Sequence, residues 1–184
     1  MTEEEIFPIV DEEGNTIGKA SRSQCHDGSK LLHPVVHLHI FNSKGQLFMQ
    51  KRSSKKDVQP DKWDSSVAGH IDFGETADIA VRREAREEVG IKEFIPIYIT
   101  KYIIATDREI ELSYCYYTIY DHKLNIDNDE VADGRFWDIK EIKEKIGKDI
   151  FTINFESDFQ LFLKDGLAKL VNITSVFLLH LYNN

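Results

Sequence analysis

The sequence predicts an α/β fold with a mixed sheet, because strand-type and helix-type patterns occur together along the same stretch of chain. VVHLHIF at residues 35–41 and ELSYCYYTIY at residues 111–120 are rich in β-branched and aromatic residues, which is typical of strands. Between them, residues 77–89 have apolar side chains at helical spacing. A chain of 184 residues without repeats or low-complexity tracts predicts one domain with a single core region.

The N-terminal part of the chain predicts a hairpin followed by a loop. Two short apolar runs, residues 7–10 and 16–20, flank DEEGN, and a Gly-Asn turn between such runs is typical of a β-hairpin. SRSQCHDGSKLLH at residues 21–33 is polar and rich in turn residues, so we expect a loop there. His37 and His39 share a face of the next strand, where we expect them to pack or to form hydrogen bonds.

The remaining elements follow from periodicity and turn residues. The expected strands are residues 7–10, 16–20, 35–41, 46–51, 65–68, 94–105, 111–120 and 135–139. The expected helices are residues 77–89, 138–146, 155–163 and 167–182, the last with a pattern weakened by β-branched residues. We expect Trp63 to anchor the long connection that precedes it against the core.

The bulk composition limits the class of partner. A net charge of −9 argues against a broad nucleic-acid surface, but it permits a phosphorylated small molecule, since a bound metal reverses the local sign. Two cysteines predict no disulfide framework, which fits a reducing cytoplasm. The N-terminus has no signal-peptide character, and the apolar run at residues 176–182 is too short to span a bilayer.

The helix at residues 77–89 has clear expected ends and an apolar face. Thr76 is suited to cap its N-terminus, and Gly90 is suited to end it. At about 100° per residue, one apolar stripe is formed. The residues of this stripe are Ala77, Val81, Ala85 and Val89.

Three carboxylates lie next to that stripe. Glu84 and Glu88 fall inside the same arc one turn apart, and Glu87 lies at its edge. Like charges at this spacing repel, and carboxylates beside a packing face are costly. Clustered carboxylate oxygens suit a hard ion such as Mg²⁺, which proteins usually hold together with substrate phosphates. The alternative is a solvated acidic helix with the neighbouring arginines as partners.

Residues 69–91, GHIDFGETADIAVRREAREEVGI, resemble the Nudix box of the Nudix hydrolase superfamily, Gx5Ex7REUxEExGU, where U is a bulky aliphatic residue. Every fixed letter of the pattern is matched, and only Ala85 departs, being small at the first U position. The resemblance implies a Nudix-type α/β/α sandwich with a mixed β-sheet. We therefore expect a single domain over residues 1–184, with an N-terminal hairpin and loop (1–33), a core (34–146) and a C-terminal helical extension (147–184).

The Nudix resemblance also implies a chemistry, namely hydrolysis of the diphosphate linkage in a small nucleoside or other organic diphosphate, with Mg²⁺ or alternatively Mn²⁺. By position in the motif, the metal ligands would be Glu84, Glu87, Glu88 and the carbonyl of Gly69. Arg83 would orient the glutamates through charge-assisted hydrogen bonds, completing the catalytic set. Glu75 and Gly90 would support the box, and candidate acids outside it are Glu111 and Glu130.

A second resemblance is to type 1 isopentenyl-diphosphate isomerase, an enzyme with the Nudix fold that does not hydrolyse its substrate. The matched stretches are VDEEGNTIGKASR, the two histidines of CHDGSKLLH, LHIFNSKGQLFMQKR and KWDSSVAGH. In that family, three histidines and two glutamates hold a metal. The matching residues here are His26, His33, His70, Glu109 and Glu111. Such a nitrogen and oxygen set suits Mg²⁺, Mn²⁺ or Zn²⁺.

One departure separates the chain from the isomerases. Their essential cysteine directly precedes the box glycine, where this chain has Ala68. Cys25 and Cys115 do not obviously replace it. The chain keeps the three glutamates of the box but lacks that thiol, which favours hydrolysis. The alternatives are an isomerase and a non-catalytic diphosphate-binding protein. The identity of the substrate, a homodimer and the role of residues 147–184 stay open.

Overall fold

A computed structural model describes residues 4–56, 58–126 and 131–161 of the chain. Glu130, the end of the helix expected at residues 155–163 and the helix expected at residues 167–182 lie outside the described residues. Within the described part, no helix has the length and apolar character needed to cross a membrane.

The described chain contains nine strands and four helices. The strands are β1 Ile6–Val10, β2 Thr16–Ser21, β3 Leu32–Phe41, β4 Leu47–Arg52, β5 Trp63–Asp64, β6 Val67–His70, β7 Ile97–Ala105, β8 Ile110–Ile119 and β9 Val131–Trp137. The helices are α1 Arg22–Cys25, α2 Ala77–Val89, α3 Ile139–Lys145 and α4 Ile153–Leu161.

The sheet is mixed, as the sequence predicted. Strands β1 and β2 form a separate antiparallel hairpin, while the large sheet has the order β5-β4-β3-β8-β7, with β6 paired to β3 and β9 to β4. The pair β3–β8 is parallel, and the other pairs of this sheet are antiparallel. Strand β3 pairs with β8 on one side and with β6 on the other. The first half of β8 and the strand that leads into the loop before α2 therefore lie together at the N-terminal half of β3.

Alternation along the strands places helices on both faces of the sheet. Phe48 of β4 and Tyr116 of β8 belong to the cluster that packs on α2. Their neighbours Met49 and Cys115 belong to the opposite cluster, which contains the aromatic side chains of α4. The expected α/β/α sandwich is therefore confirmed, and α4 supplies part of its core although it lies beyond the core range expected from sequence.

Helix α2 has the ends that the sequence predicted. Thr76 adopts an extended conformation and its Oγ1 accepts a hydrogen bond from the backbone N–H of Ile79 at 3.3 Å. Gly90 ends the helix with a φ of +73°, a left-handed conformation that favours glycine. The buried stripe contains Ala80 in addition to the expected residues, while Ala77 is only partly buried.

Several element boundaries differ from the expectations. The predicted loop at residues 21–33 contains α1, closed by a capping box between Ser21 and Gln24, and also the first residues of β3. Parallel pairing with β8 extends β3 backward through Pro34, where a lone strand pattern would end. Three further expected strands have different bounds. In place of the strand expected at residues 65–68, the structure has β5 at 63–64 and β6 at 67–70. Strand β7 spans residues 97–105 in place of 94–105, and β9 spans residues 131–137 in place of 135–139.

Candidate functional site

A polar cavity of about 870 Å³ lies at the N-terminal half of β3. The elements that line it are α1, β3, β4, β5, β6, α2, β8, β9 and the first turn of α4. Both groups of residues singled out from the sequence contribute side chains to its wall. The cavity therefore brings the two groups of residues to one place in the fold.

Close packing explains the first glycine of the box. Gly69 lies in β6 opposite Val36 of β3, and the carboxylate of Glu84 from α2 rests against its Cα. A Cβ at this position would collide with that carboxylate. Glycine therefore leaves the space that the Glu84 carboxylate occupies, and a larger residue here would displace that carboxylate.

Arg83 joins the glycine loop to the helix. Its Nε and Nη2 donate to the two carboxylate oxygens of Glu75 at 3.0 and 2.9 Å, a bidentate pair. The same guanidinium donates to Glu84 at 2.7 Å and to the carbonyl of His70 at 2.9 Å. A longer bond of 3.3 Å reaches Glu87. Arg83 thus holds the acidic side chains in place instead of pointing into free solvent.

Glu84 and Glu88 are partly buried carboxylates on the cavity wall. Removal from water raises the pKa of Glu84 to about 7 and the pKa of Glu88 to about 8, although Arg83 partly offsets the shift at Glu84. Gln50 donates to Glu88 at 2.6 Å, and the backbone N–H of Ala68 donates to it at 3.3 Å. Both carboxylates gain from a nearby cation, because their ionised forms are incompletely compensated.

Glu87 is placed differently from the other two box acids. Its side chain is 57% exposed, its ion pair is with Arg83, and it is not among the residues that line the cavity. This agrees with its position at the edge of the helical arc. Of the three acids that the sequence grouped, the structure therefore brings two into the cavity and leaves the third at the solvent-exposed edge.

The three histidines of the second group converge. Ligand nitrogens of His26, His33 and His70 lie within 4.8 Å of one another, and Phe7 stacks on His70. Parallel register places His33 beside Glu111, and these two with Glu109 form a second group within 4.8 Å. The end of α1, strands β3 and β6, and the start of β8 thus bring together five residues from distant parts of the sequence.

Protons alone cannot satisfy this His-Glu cluster, as we call these five residues. Arg22 donates to Nδ1 of His70 at 3.3 Å, so the proton of a neutral His70 must be on Nε2. That atom faces Nε2 of His26 at 3.1 Å, which must then accept and cannot also donate to Glu109, 3.1 Å away. A cation between the imidazole nitrogens and the carboxylates would remove this conflict.

The protonation of the His-Glu cluster also fits a cation. Burial lowers the pKa of His26 to about 4 and lowers the pKa values of His33 and His70 below their ordinary value, so all three are neutral at pH 7. Nδ1 of His33 bonds to the carbonyl of Leu31 at 2.8 Å, and its Nε2 is buried without a hydrogen-bond partner among the described residues. Neutral imidazoles with buried carboxylates form a donor set that fits a divalent metal.

No described thiol replaces the missing cysteine. Ala68 pairs with His37 across β6 and β3, and its methyl group can neither give nor take a proton. Cys25 is fully buried in the small cluster with Phe7, and burial raises the pKa of its thiol to about 11. Burial likewise raises the pKa of Cys115, on β8, to about 12. Both cysteines are therefore protonated near pH 7.

His37 and His39 form hydrogen bonds and pack, as expected, but their partner was missed. Nδ1 of His37 lies 2.6 Å from Oδ2 of Asp158 in α4, and Nε2 of His39 lies 3.5 Å from the same oxygen. Burial alone would lower the pKa of His37, but the Asp158 carboxylate raises it well above its ordinary value. Tyr102 and Cys115 also donate to Asp158.

Two further cavity residues were missed by sequence reasoning. Gln50 of β4 bonds to Glu88, and Asn154 of α4 donates to Glu111 at 2.9 Å. Neither residue type carries a recognisable motif. The sequence does single out Asp158, because it is an acidic residue inside the apolar arc that Phe155 and Phe159 form in the predicted helix.

The family model described as the NUDIX domain matches residues 31–155, so the chain belongs to the Nudix family. An uncharacterised Nudix hydrolase of Clostridium acetobutylicum is 36% identical over 133 residues, 68% of this chain. The matched region spans 64% of that relative, less than two thirds of its length.

Isomerases are also among the relatives. An isopentenyl-diphosphate Delta-isomerase of Citrobacter koseri is 33% identical over 139 residues, which are 72% of this chain and 76% of the relative. The resemblance to both groups is therefore confirmed.

Solved structures support the fold. DR0079 of Deinococcus radiodurans has a TM-score of 0.64 and 24% identity, with 78% of this chain and 90% of that chain covered. The NUDIX domain of Shewanella oneidensis NrtR, complexed with ADP ribose, has a TM-score of 0.60 and 14% identity, with 74% and 88% covered. At these identities the likeness shows the shared fold.

Proposed function

We propose that the protein is a divalent-metal-dependent Nudix hydrolase that cleaves the diphosphate linkage of a small organic diphosphate. The observation that carries the proposal is the meeting of Gly69, Arg83, Glu84 and Glu88 at one cavity wall. These residues form the hydrolytic part of the family motif. The sandwich fold and the Nudix family membership agree with the same chemistry.

The residues have three proposed roles, which are to bind the cation, to contact the phosphates and to orient the acidic side chains. Glu84, Glu88 and the Gly69 carbonyl would hold Mg²⁺ or Mn²⁺, and Glu87 would join them from the exposed edge by exchanging its 3.3 Å bond to Arg83 for the metal. The metal, when bound, would neutralise phosphoryl oxygens and make water a stronger nucleophile. Arg83 fixes Glu84 against the glycine strand and thereby sets the direction of its oxygens. Guanidinium groups of Arg22, Arg52 and Arg108, which line the cavity, offset the charge of a diphosphate.

A second cation position is part of the proposal. The His-Glu cluster offers neutral imidazole nitrogens and carboxylate oxygens in two overlapping groups of three, each with its ligand atoms within 4.8 Å of one another, and it would hold Mn²⁺, Zn²⁺ or Mg²⁺. Arg22, 46% exposed on its side chain, can release Nδ1 of His70 when Nε2 binds the cation. Glu111, one of the two acids suggested outside the box, belongs to this cluster.

The test is a screen of diphosphates with Mg²⁺, measuring released phosphate or monophosphate. ADP-ribose, nucleoside diphosphates and isopentenyl diphosphate would form the panel. Glu88→Gln should lower kcat by about 10²-fold or more, since it removes a ligand that acts on the developing charge. Glu93→Gln, an exposed glutamate on the loop after α2, is the matched control and should be unaffected. Equal turnover in both variants at saturating metal would overturn the proposal.

An isomerase is the second candidate, because isomerases are among the relatives that cover most of this chain. Isomerisation of an allylic diphosphate requires groups that add a proton on one face and remove one from the other. Ala68 supplies none at the position of the cysteine. We therefore expect no conversion of isopentenyl to dimethylallyl diphosphate, and Ala68→Cys to yield at most a trace. Solvent-deuterium exchange into isopentenyl diphosphate measures this, and robust exchange by the unmodified protein would make the isomerase the leading assignment.

A further inference from the structure

One guanidinium links the His-Glu cluster to the rest of the cavity. Nη1 of Arg22 donates to Oε2 of Glu5 at 2.9 Å and to Nδ1 of His70 at 3.3 Å. The side chains of Arg22 and Glu5 are 46% and 57% exposed, and both residues line the cavity. Arg22 therefore contacts a candidate metal ligand and is also within reach of a ligand that enters the cavity.

The contact with Arg22 selects one tautomer of His70. A guanidinium can only donate, so Nδ1 must accept and the single proton of the neutral ring must be on Nε2. Nε2 is the nitrogen that faces the cluster, 3.1 Å from Nε2 of His26. A metal ion binds the lone pair of a ring nitrogen, and a protonated Nε2 has none available. The contact thus holds His70 in the tautomer that cannot bind a cation inside the cluster.

The positive charge of Arg22 acts in the same direction. Burial lowers the pKa values of His70 and His26, and the guanidinium lowers both further because it repels a proton on either ring. A divalent cation between these rings would be repelled for the same reason. The hydrogen bond and the charge of one side chain therefore both oppose binding of a cation by the cluster.

A diphosphate has the chemistry needed to remove both effects. Guanidinium groups bind phosphate oxygens through paired hydrogen bonds, and a diphosphate carries more negative charge than the single carboxylate of Glu5. The partial exposure of Arg22 leaves its side chain room to turn away from His70. The ring proton can then pass to Nδ1 by exchange with water. Glu5, which is bonded to the same Nη1, is a nearby carboxylate to accept it, as the second nitrogen of a metal-bound histidine requires.

We propose that Arg22 regulates cation binding by the His-Glu cluster: a diphosphate draws its guanidinium away from His70, and only then does the cluster bind its cation tightly. This rests on the proposed hydrolase function, which supplies the diphosphate, and it adds an order of binding. Because the coupling between two ligands is reciprocal, the cation also strengthens diphosphate binding by the same factor. The cluster therefore stays weakly loaded until a substrate is present.

The first measurement follows the tautomer of His70 in metal-free protein. Nitrogen NMR of protein labelled in its histidine rings distinguishes a protonated from an unprotonated ring nitrogen, and His70→Gln assigns the signals. We expect the proton on Nε2 in the free protein and on Nδ1 after inorganic pyrophosphate is added. Arg22→Met should abolish this dependence on pyrophosphate. Arg22→Lys keeps a charged donor and should retain the wild-type tautomer in the free protein.

The second measurement is the affinity for Mn²⁺ without diphosphate, by isothermal titration calorimetry. We expect Arg22→Met to bind Mn²⁺ about 10-fold more tightly than the wild type, because one hydrogen bond from a charged group no longer has to be broken. Arg108→Met is the matched comparison, since it removes the same charge from an exposed residue that lines the same cavity. Its effect should be smaller, and an equal effect would show that charge alone matters and would overturn the proposal.

The NMR measurement on the wild type decides the matter even if a variant does not fold. A proton on Nδ1 of His70 in the free protein would overturn the inference, and so would a tautomer that pyrophosphate leaves unchanged. Metal-free protein that does not bind pyrophosphate would refute the order of binding. None of these measurements requires turnover. Failure to hydrolyse any diphosphate would therefore count against the proposed function, whereas hydrolysis with the opposite tautomer would count against this inference alone.

Discussion

The protein contains two histidine clusters that look alike in composition and differ in what surrounds them. The His-Glu cluster and the group formed by His37, His39, Cys115 and Asp158 both have metal-ligand atoms close together. In the second group, which we call the core cluster, the carboxylate of Asp158 bonds to an imidazolium, a phenol and a thiol. The His-Glu cluster instead has neutral rings, an unpartnered nitrogen and a conflict between its donors.

The comparison teaches that satisfied hydrogen bonds distinguish a structural cluster from a binding one. Spacing and residue type alone mark both clusters as metal candidates. What distinguishes them is whether every hydrogen-bond donor has an acceptor. A cation does not stabilise a complete hydrogen-bond network further, but it does stabilise an incomplete one. The core cluster therefore holds α4 on the sheet, and the His-Glu cluster is open to a ligand.

The largest expected effect comes from breaking the core cluster. Asp158→Ala leaves a buried imidazolium without its partner, and the free energy of unfolding should fall by about 3–5 kcal/mol. Urea unfolding followed by circular dichroism measures this, with Glu144→Gln on the exposed face of α3 as the control. Addition of a chelator should not change the result. A loss below about 1 kcal/mol would contradict the structural role of the core cluster.

A smaller effect is expected on metal binding by the His-Glu cluster. His26→Gln removes one imidazole ligand while retaining a polar side chain, and Mn²⁺ should bind at least 10- to 100-fold more weakly. Isothermal titration calorimetry measures the affinity, and His122→Gln, an exposed histidine after β8, is the matched control. Unchanged Mn²⁺ affinity and stoichiometry in His26→Gln would remove this cluster from the list of metal sites.

The smallest effect is a pH dependence that comes from the box acids. The pKa of Glu88 is raised to about 8 in the folded state, so the folded protein binds more protons than the unfolded chain between the ordinary glutamate value and that pH. Stability of the metal-free protein should therefore fall as pH rises from about 6.5 to 8, by roughly 1–2 kcal/mol. The pKa of His26 is lowered from 6.5 to about 4, so the effect of its protonation on stability falls below this pH window.

Divalent metal should reverse that trend, because a bound cation favours the ionised carboxylates. Stabilisation by Mg²⁺, measured as the shift in Tm, should be greater at pH 8 than at pH 6.5. Glu88→Gln should reduce both the metal-free trend and its reversal, and the remaining trend comes from Glu84 and Glu111, whose pKa values burial raises to about 7. A metal-free protein that is more stable at pH 8 than at pH 6.5 would show that Glu88 is not held in the protonated form.

The sequence predicted local features well and distant pairings poorly. The bounds of α2 follow from Thr76 and Gly90, which act within their own turns. The start of β3 depends on parallel pairing with β8, and no local pattern records that pairing. Likewise, the histidine pattern of β3 predicts a shared face, but the partner of that face, Asp158, comes from a helix near the other end of the described chain.

The candidate site shows the same division. The box resemblance named Gly69, Arg83 and Glu84. Spacing within α2 explains the arrangement of Arg83 and Glu84, while Gly69 reaches them from β6. The resemblance to isomerases named the His-Glu cluster, whose members the fold brings together. Gln50 and Asn154 could not be found in this way, because an isolated amide becomes informative only when the atoms around it show which bonds it makes.

The parallel pairing of β3 with β8 has a consequence for how the protein matures. His33 is synthesised early and Glu111 much later, and they become neighbours only when two strands from distant parts of the chain align. Long-range parallel pairing is among the slow steps of folding, because a large loop must close first. The His-Glu cluster is therefore incomplete in a growing polypeptide until β8 has left the ribosome and docked, so a cation that needs all five residues can bind only after that step.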